Sequence, residues 1–467
     1  MRTLVAAIAL LVLALALRLP HGELAEWKGD EGVQFARARA LAREGVLPER
    51  GLPTTDGPRL PVHFIWILAA PLVVADDPEA VRVGMALLAS GVIVLVFVAG
   101  RRDLGARTAL AWALLLAVLP DEVRRGRWSW NPNLIPPLAA LALLLLVRAR
   151  RRPQGFAGAG LLAFATLLPL VHYSLVGLGA VSLVAGLAWT KDRRAFLAGS
   201  ILGLLLLAPH VVIESRTGFK DTRAAFAVAG HRPADPEREA LAFPRLAARA
   251  FELENYARAA STEPLAFEPI ASLATRALLA AGVLLALASL ARRRLEPPGL
   301  ALLAALGAWA PFLVLGLPAR HHYVQTAVPA LAYLAAFAVT RARVLGLLLA
   351  PVGWASVLAV WAVLASAERG LVGTGSDYDI PLGEKTRACR ELLARDLELV
   401  HYPRFEYLVL LEACWRELPP GERDRFALEP KKEGYWDVSF AIPRPRHPRG
   451  RAALMVAGAK VLIVELP

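Results

Sequence analysis

Cysteine is nearly missing from this sequence. Among 467 residues only Cys389 and Cys414 carry a thiol, and both fall in a C-terminal stretch that the charge pattern puts outside the cytoplasm. Two readings are open, a disulfide formed in an oxidising compartment and a pair of buried free thiols. Neither makes cysteine the reacting group. A convincing internal repeat is also missing, and charges inside the apolar runs are few. Many transporters are built from repeats and place polar groups near the bilayer midplane, so both absences weigh against transport. The first apolar run, residues 3–17, lacks a clean small-residue cleavage site, which a secretory signal needs. It is expected to stay as an anchor, with a cleaved signal as the alternative. The topology of the remainder is the same in both cases.

What the chain has in abundance is apolar surface. It is 56% hydrophobic, with mean hydropathy +0.47. A membrane-spanning helix needs about 20 apolar residues. Candidate spans fall at about 3–19, 80–100, 107–120, 132–148, 156–172, 174–189, 195–213, 272–291, 299–317, 323–339 and 343–364. One further apolar run, Leu60 to Ala75, is only about 16 residues long.

The formal charge of +13 raises nucleic acid as a partner, but the location of the charges argues against it. Lys and Arg concentrate in short loops: Arg101, Arg102 and Arg107; Arg148, Arg150, Arg151 and Arg152; Lys191, Arg193 and Arg194; Arg292, Arg293 and Arg294; Arg341 and Arg343. These are positive-inside marks. If Leu60–Ala75 crossed the membrane, the basic loops would not share a side with Met1-Arg2. If it only dips in or lies on the surface, every basic loop is cytoplasmic and Asp30, Asp76 and Asp77 are outside. The second arrangement fits charge and length. It predicts a mainly α, polytopic protein of about eleven transmembrane helices in the inner (plasma) membrane, with a cytoplasmic N-terminus and an extracytoplasmic C-terminus.

Four stretches then face outward. In residues 20–60, Val33, Phe35, Ala36, Ala40 and Leu41 interleave with Arg37, Arg39 and Arg43, which predicts an amphipathic helix on the membrane surface; Pro48 to Pro61 reads as an irregular loop. Residues 121–131 are basic although outside. Residues 214–271 form a long polar loop. The tail divides the chain into a membrane domain, 1–364, and a small α/β domain, 365–467. In the tail a helix is predicted over Lys385–Leu399 and strands at Trp436–Ile442, Ala453–Val456 and Val461–Leu466.

Several constellations could carry chemistry. Asp30-Glu31 lies just after the first apolar run. It is either the acidic first turn of the helix that follows, or a general base at the interface with a neighbour that orients the site. Adjacent side chains diverge, so the two are not expected to share one job. Arg124, Arg125 and Arg127, beside Trp128 and Trp130, are interfacial anchors or a phosphate clamp, since guanidinium pairs with phosphate through bidentate charged hydrogen bonds. Arg82 either snorkels or faces the same pocket. His172-Tyr173 and Arg320-His321-His322-Tyr323 sit at outer span ends. Packing explains a lone histidine, and adjacent histidines diverge, so no metal or other cofactor is expected, with a divalent ion as a weak alternative.

In order and topology these residues together resemble the C-type glycosyltransferase superfamily, and within it bacterial proteins similar to protein O-mannosyltransferases and aminoarabinose transferases. Asp30-Glu31 matches an Asp-Glu pair in that family's first outer loop. Leu60-Pro61-Val62-His63-Phe64-Ile65-Trp66 loosely matches a His-Pro-Pro-like stretch, with a departure at Pro61-Val62-His63. Arg82 matches an Arg near the start of the next span, Trp130-Asn131-Pro132-Asn133 a Trp-Asn-Pro-Asn motif, and His172-Tyr173 a later His-Tyr. The likeness covers roughly residues 1–340.

The resemblance implies a polyprenyl-phosphate sugar donor and a lipid, glycan or protein acceptor. The leaving phosphate needs positive charge rather than a general acid, and the acceptor needs a base, expected to be Asp30, with Glu31 beside it. His63, Arg82, Arg124, Arg125, Arg127, Asn131, His172, Tyr173, Arg320, His322 and Tyr323 are the expected binding residues. Attack opposite the phosphate would invert the anomeric centre. The alternatives are a transporter or flippase for a lipid-linked sugar, and a structural or signalling protein, which would leave Asp30 unexplained.

Overall fold

The structure, a computed structural model, describes residues 1–24, 29–52, 58–127, 129–230, 236–249, 251, 268–292, 295–315, 319–320, 322–368, 387–388, 390–391, 394–395, 397–401, 428–430, 438–440, 450–457 and 460–466. Cys389, Cys414, Trp128 and His321 lie outside the described residues.

The apolar runs are helices. In chain order they are α1 (Arg2–Arg18), α2 (Gly29–Arg39), α3 (His63–Val74), α4 (Pro78–Leu104), α5 (Ala106–Val118), α6 (Pro120–Arg125), α7 (Ile135–Arg151), α8 (Ala157–Val171), α9 (Val176–Trp189), α10 (Arg193–Arg216), α11 (Lys220–Gly230), α12 (Pro236–Arg249), α13 (Glu268–Ala291), α14 (Pro297–Leu315), α15 (Val328–Arg341), α16 (Arg343–Gly346) and α17 (Leu349–Glu368). Local chemistry sets their ends. Asp77 caps α4, accepting from the Glu79 amide at 2.6 Å, and Pro78 fills its first position, where a missing N–H costs nothing. Gly105, at φ 85°, ends α4 and starts α5.

Among the described residues, five helical segments are long and apolar enough to cross a membrane: Pro78–Leu104, Asn131–Arg151, Arg193–Arg216, Pro269–Ala291 and Pro297–Val314. Several others are shorter. α3 has 12 residues, about 18 Å of helix against a hydrocarbon core of about 30 Å. α5, with 13 residues, and α15, with 14, are little longer, so length alone does not single out α3. α3 packs against α2 and α4.

The bundle has an inside and an outside. Within the apolar window of Asn131–Arg151, 83% of residues are buried, against 11% for Arg193–Arg216. α7 is therefore central, touching α4, α8, α9 and α15, while α10 packs on α8 at the periphery. Where α9 crosses α14, a Cβ on Gly177 would collide with the Gly307 carbonyl; a small residue lets the two backbones approach. At the end of α4, Asp103 is 1% exposed and pairs with Arg152 at 3.1 Å and Arg148 at 3.6 Å, tying two basic segments together.

One expectation is met with more detail and one needs correction. α2 is amphipathic as expected, and its apolar face meets protein: Val33, Phe35 and Ala38 are buried, and α2 packs on α3. The tail segment expected to stay helical to Leu399 instead enters strand β1 (Leu397–His401). β1 pairs in parallel with β4 (Gly450–Ala457), and β4 pairs antiparallel with β5 (Lys460–Leu466). A separate hairpin pairs β2 (Leu428–Pro430) with β3 (Val438–Phe440). Strand pairing over a long sequence distance overrides the local helical pattern there.

Candidate active site at the start of the first loop

Asp30 and Glu31 occupy the first turn of α2, where negative charge suits the helix dipole. Their side chains diverge. Glu31 is buried at 1% exposure, whereas Asp30 is half-buried. Asp30 Oδ2 accepts a hydrogen bond from the indole Nε1 of Trp130 at 3.1 Å. Trp130 stands in extended conformation just before the short 3-10 turn Asn131–Leu134 that leads into α7, so the central helix fixes its ring.

Trp130 begins a group of rings. Its centroid is 5.0 Å from His322, which is 4.2 Å from Tyr323. His172 approaches His322 at 6.1 Å and Tyr323 at 5.6 Å. Four positions far apart in sequence, 30, 130, 172 and 322–323, therefore meet on one side of the bundle. His172 Nδ1 accepts from the Ser174 amide at 3.2 Å, which places the ring proton on Nε2. With Nδ1 accepting that bond the buried ring is neutral, and Arg125 lies within its electrostatic reach.

Arg125 joins this group from α6. Its Nε donates to Asp121 Oδ2 at 3.2 Å, and Gln325 Nε2 donates to the same oxygen. Glu122, also buried, is pushed up to about 8, first by burial and then by Asp121. Asn131 Oδ1 accepts from Gln34 Nε2 at 3.4 Å. Gln34 Oε1, Asn131 Nδ2 and both amide atoms of Asn133 are buried with no hydrogen-bond partner. Arg124 is buried on the same short helix, and Arg320 is half-buried two residues before His322.

Arg82 and Arg127 both bond to the segment where α1 ends. Arg82 forms an ion pair with Glu79 and donates to the carbonyls of Arg18 at 3.0 Å and Leu19 at 2.9 Å. Arg127 donates to Leu17 at 3.1 Å, Pro20 at 2.6 Å and His21 at 3.0 Å. Both converge on the carbonyls that α1 leaves unsatisfied as it ends. Arg18 completes the knot, donating to Ala14, Ala117 and Leu116, and Gly126 is packed so closely on Arg18 that a Cβ would clash with its Nε. His21 takes a left-handed φ of 56° at this bend, a conformation that costs energy outside glycine.

His63 and Tyr173 form a third group. His63 Nε2 donates to the Leu206 carbonyl of α10 at 2.8 Å. The Tyr173 hydroxyl donates to the Arg59 carbonyl at 2.6 Å, and the Arg59 amide donates to Asp221 at 3.3 Å. These bonds fasten the first loop and α3 to α10 and α11. Sequence reasoning missed Arg18, Gln34, Glu122 and Gln325. Arg18, a charge closing an apolar run, was the one with a visible signal. No group of three or more His, Cys, Asp or Glu side chains among the described residues is placed to hold a metal.

This helical bundle is shared with solved membrane proteins, and the likeness is one of fold. The family model described as dolichyl-phosphate-mannose-protein mannosyltransferase matches residues 57–213. Among solved structures, the chain is similar to ArnT from Cupriavidus metallidurans bound to undecaprenyl phosphate, at 14% identity and TM-score 0.57, over 88% of this chain and 84% of that one. The same protein in the apo state gives 15% identity and TM-score 0.57, over 87% and 83%. No curated protein sequence matches the chain significantly.

Proposed function

We propose that the chain is an inverting membrane glycosyltransferase that moves a sugar from a polyprenyl-phosphate donor to a lipid, glycan or protein acceptor on the extracytoplasmic side. The observation that carries this reading is the half-buried Asp30 carboxylate, held by Trp130 at the edge of a ring group, in a fold shared with a protein crystallised with undecaprenyl phosphate.

Asp30 is the general base. Its carboxylate takes the proton from the acceptor nucleophile as that group attacks the anomeric carbon. The bond to the phosphate oxygen breaks on the opposite face, which inverts the centre. The departing phosphate gains negative charge, so fixed cations are more useful than a proton donor. Arg125, within electrostatic reach of His172, and Arg320, two residues before His322, are assigned to that charge, with Arg124 on the same short helix as Arg125. Neutral His172 adds no competing charge. Arg82 and Arg127 serve the reaction through position, since they anchor the loop that carries Asp30. Asn131, Tyr323 and His322 lie beside the base as substrate contacts. His63 and Tyr173 hold α3 and the third loop in place around it.

The test is transfer itself. Purified chain in lipid nanodiscs, given undecaprenyl phosphate carrying a radiolabelled sugar together with envelope lipids and peptides, is expected to move label off the lipid. Label that crosses a vesicle bilayer still attached to lipid would instead favour a flippase. The orientation is tested with single cysteines at positions 107 and 192 in a chain whose native cysteines are replaced by serine. Both are expected to react from the cytoplasmic side only; labelling from outside would reverse the assignment.

A further inference from the structure

We infer that the ring group formed by Trp130, His322 and Tyr323 is a stacking subsite for the transferred sugar, and that Trp130 links recognition to catalysis by stacking with its face while holding Asp30 with its N–H edge. This rests on the glycosyl-transfer reading and adds what the site recognises: a pyranose ring with a continuous C–H face.

Three observations combine. First, the rings are half-buried rather than sealed in the core, in contrast to the Trp112–Tyr333 pair, which is fully buried in the core at 5.4 Å. Secondly, the rings do not stack on one another. Trp130 and His322 are tilted by 59°, and His322 and Tyr323 by 77°. They form an angled wall rather than a closed pile. Thirdly, the indole N–H already has its partner, Asp30, at 3.1 Å. A buried indole needs a partner for that group, so the face, not the edge, remains for a ligand.

The chemistry fits a sugar better than a phosphate. A pyranose offers aliphatic hydrogens on one face, polarised by the ring oxygen and hydroxyls, and these pack against the electron-rich face of an aromatic ring. Phosphate is repelled by such a face. The geometry also places the base correctly. A sugar lying on Trp130 has its edge at Asp30, where an acceptor hydroxyl would have to be deprotonated. A nearby reserve of polar partners exists in the Asn131 amide, which follows Trp130 directly and has an unpartnered Nδ2.

Equilibrium binding to nanodisc-embedded protein separates this inference from the function on which it rests. The probes are undecaprenyl phosphate alone and undecaprenyl phosphate carrying mannose, glucose or 4-amino-4-deoxyarabinose. The wild type is expected to bind at least one sugar-bearing lipid more tightly than the bare lipid phosphate. Trp130→Leu and His322→Ala should each reduce that preference by about tenfold, the size of a lost aromatic contact, while bare undecaprenyl phosphate binds within about twofold of wild type. Trp130→Phe should keep the preference yet slow turnover, because it retains a face and loses the N–H. Equal preference in wild type, Trp130→Leu and His322→Ala would overturn the ring subsite and leave the glycosyltransferase reading standing. A wild type that binds the bare lipid phosphate but favours no sugar-bearing lipid would likewise overturn the subsite alone. A wild type that binds none of these lipids would overturn both. Should Trp130→Leu fail to fold, as seen by thermal melting, His322→Ala decides.

Discussion

Two polar groups flank the first loop, and they are built differently. Around Asp30, side chains meet side chains: an indole on a carboxylate, an imidazole on the indole, a phenol and a second imidazole beside it. Around the end of α1, side chains meet backbone: Arg18, Arg82 and Arg127 donate to a set of carbonyls. The first group is half-buried at Asp30, Trp130 and His322. The second is sealed, with Arg18 at 1%, Arg82 at 3% and Arg127 at 3% exposure. Guanidinium groups spent on carbonyls hold a chain in place. A half-buried carboxylate met by an indole stands where a ligand can reach it. The contrast explains how a protein can carry several buried arginines near one face and use them for different ends.

The largest effect should come from the first group. Asp30→Asn keeps the size and removes the proton acceptor, so transfer should fall by at least about 100-fold with the melting temperature unchanged. Glu31→Gln should be milder, because Glu31 is buried away from the half-exposed position of Asp30. Near-normal turnover in Asp30→Asn would remove the base assignment.

The second group should answer in stability instead. Arg127→Gln leaves buried carbonyls without donors, each costing about 1–3 kcal/mol. A lowered melting temperature in detergent is expected, with the KM for lipid donor in the surviving folded fraction within about twofold of wild type. An unchanged melting temperature with a raised donor KM would return Arg127 to the phosphate. Trp130→Phe sits between the groups. Losing a hydrogen bond to a carboxylate should cost about tenfold in kcat and shift the acid limb of the pH–rate profile, a change that lost packing alone would not produce.

A separate effect concerns pH. Glu122 rises from an ordinary 4.5 to about 8 in the folded protein. Between those values the folded state holds a proton that the unfolded state has released. The stability from Glu122 is complete below pH 4.5, declines as pH rises toward about 8, and is flat above that. Glu122→Gln should therefore flatten the loss of melting temperature between pH 5 and pH 8. A mutant with the same slope as wild type would show that another group governs it.

How much of this was legible beforehand follows from the range of each interaction. Apolar runs are local, so the span expected at about 80–100 is α4 and that at about 195–213 is α10, each within a few residues. The first-turn acids of α2 were equally local. The company Asp30 keeps was not. Trp130 lies 100 positions away, and only the packing of α7 in the centre of the bundle brings it near. Arg82 shows the same limit: its charge and position were visible, but its bonds to the carbonyls at the end of α1 are a property of the folded helix end. The slip at Leu397–Leu399 has the same origin, since a strand depends on a partner that begins at Gly450.

The most direct measurement sets wild type, Asp30→Asn and Arg127→Gln side by side in nanodiscs, following label transfer from undecaprenyl-phosphate sugar and thermal melting in the same samples. The account predicts that Asp30→Asn melts like wild type and transfers almost nothing, while Arg127→Gln melts lower and transfers per folded molecule with an unaltered donor KM. Transfer by Asp30→Asn at the wild-type rate, or a wild type that transfers no label from any polyprenyl-phosphate sugar, would contradict it.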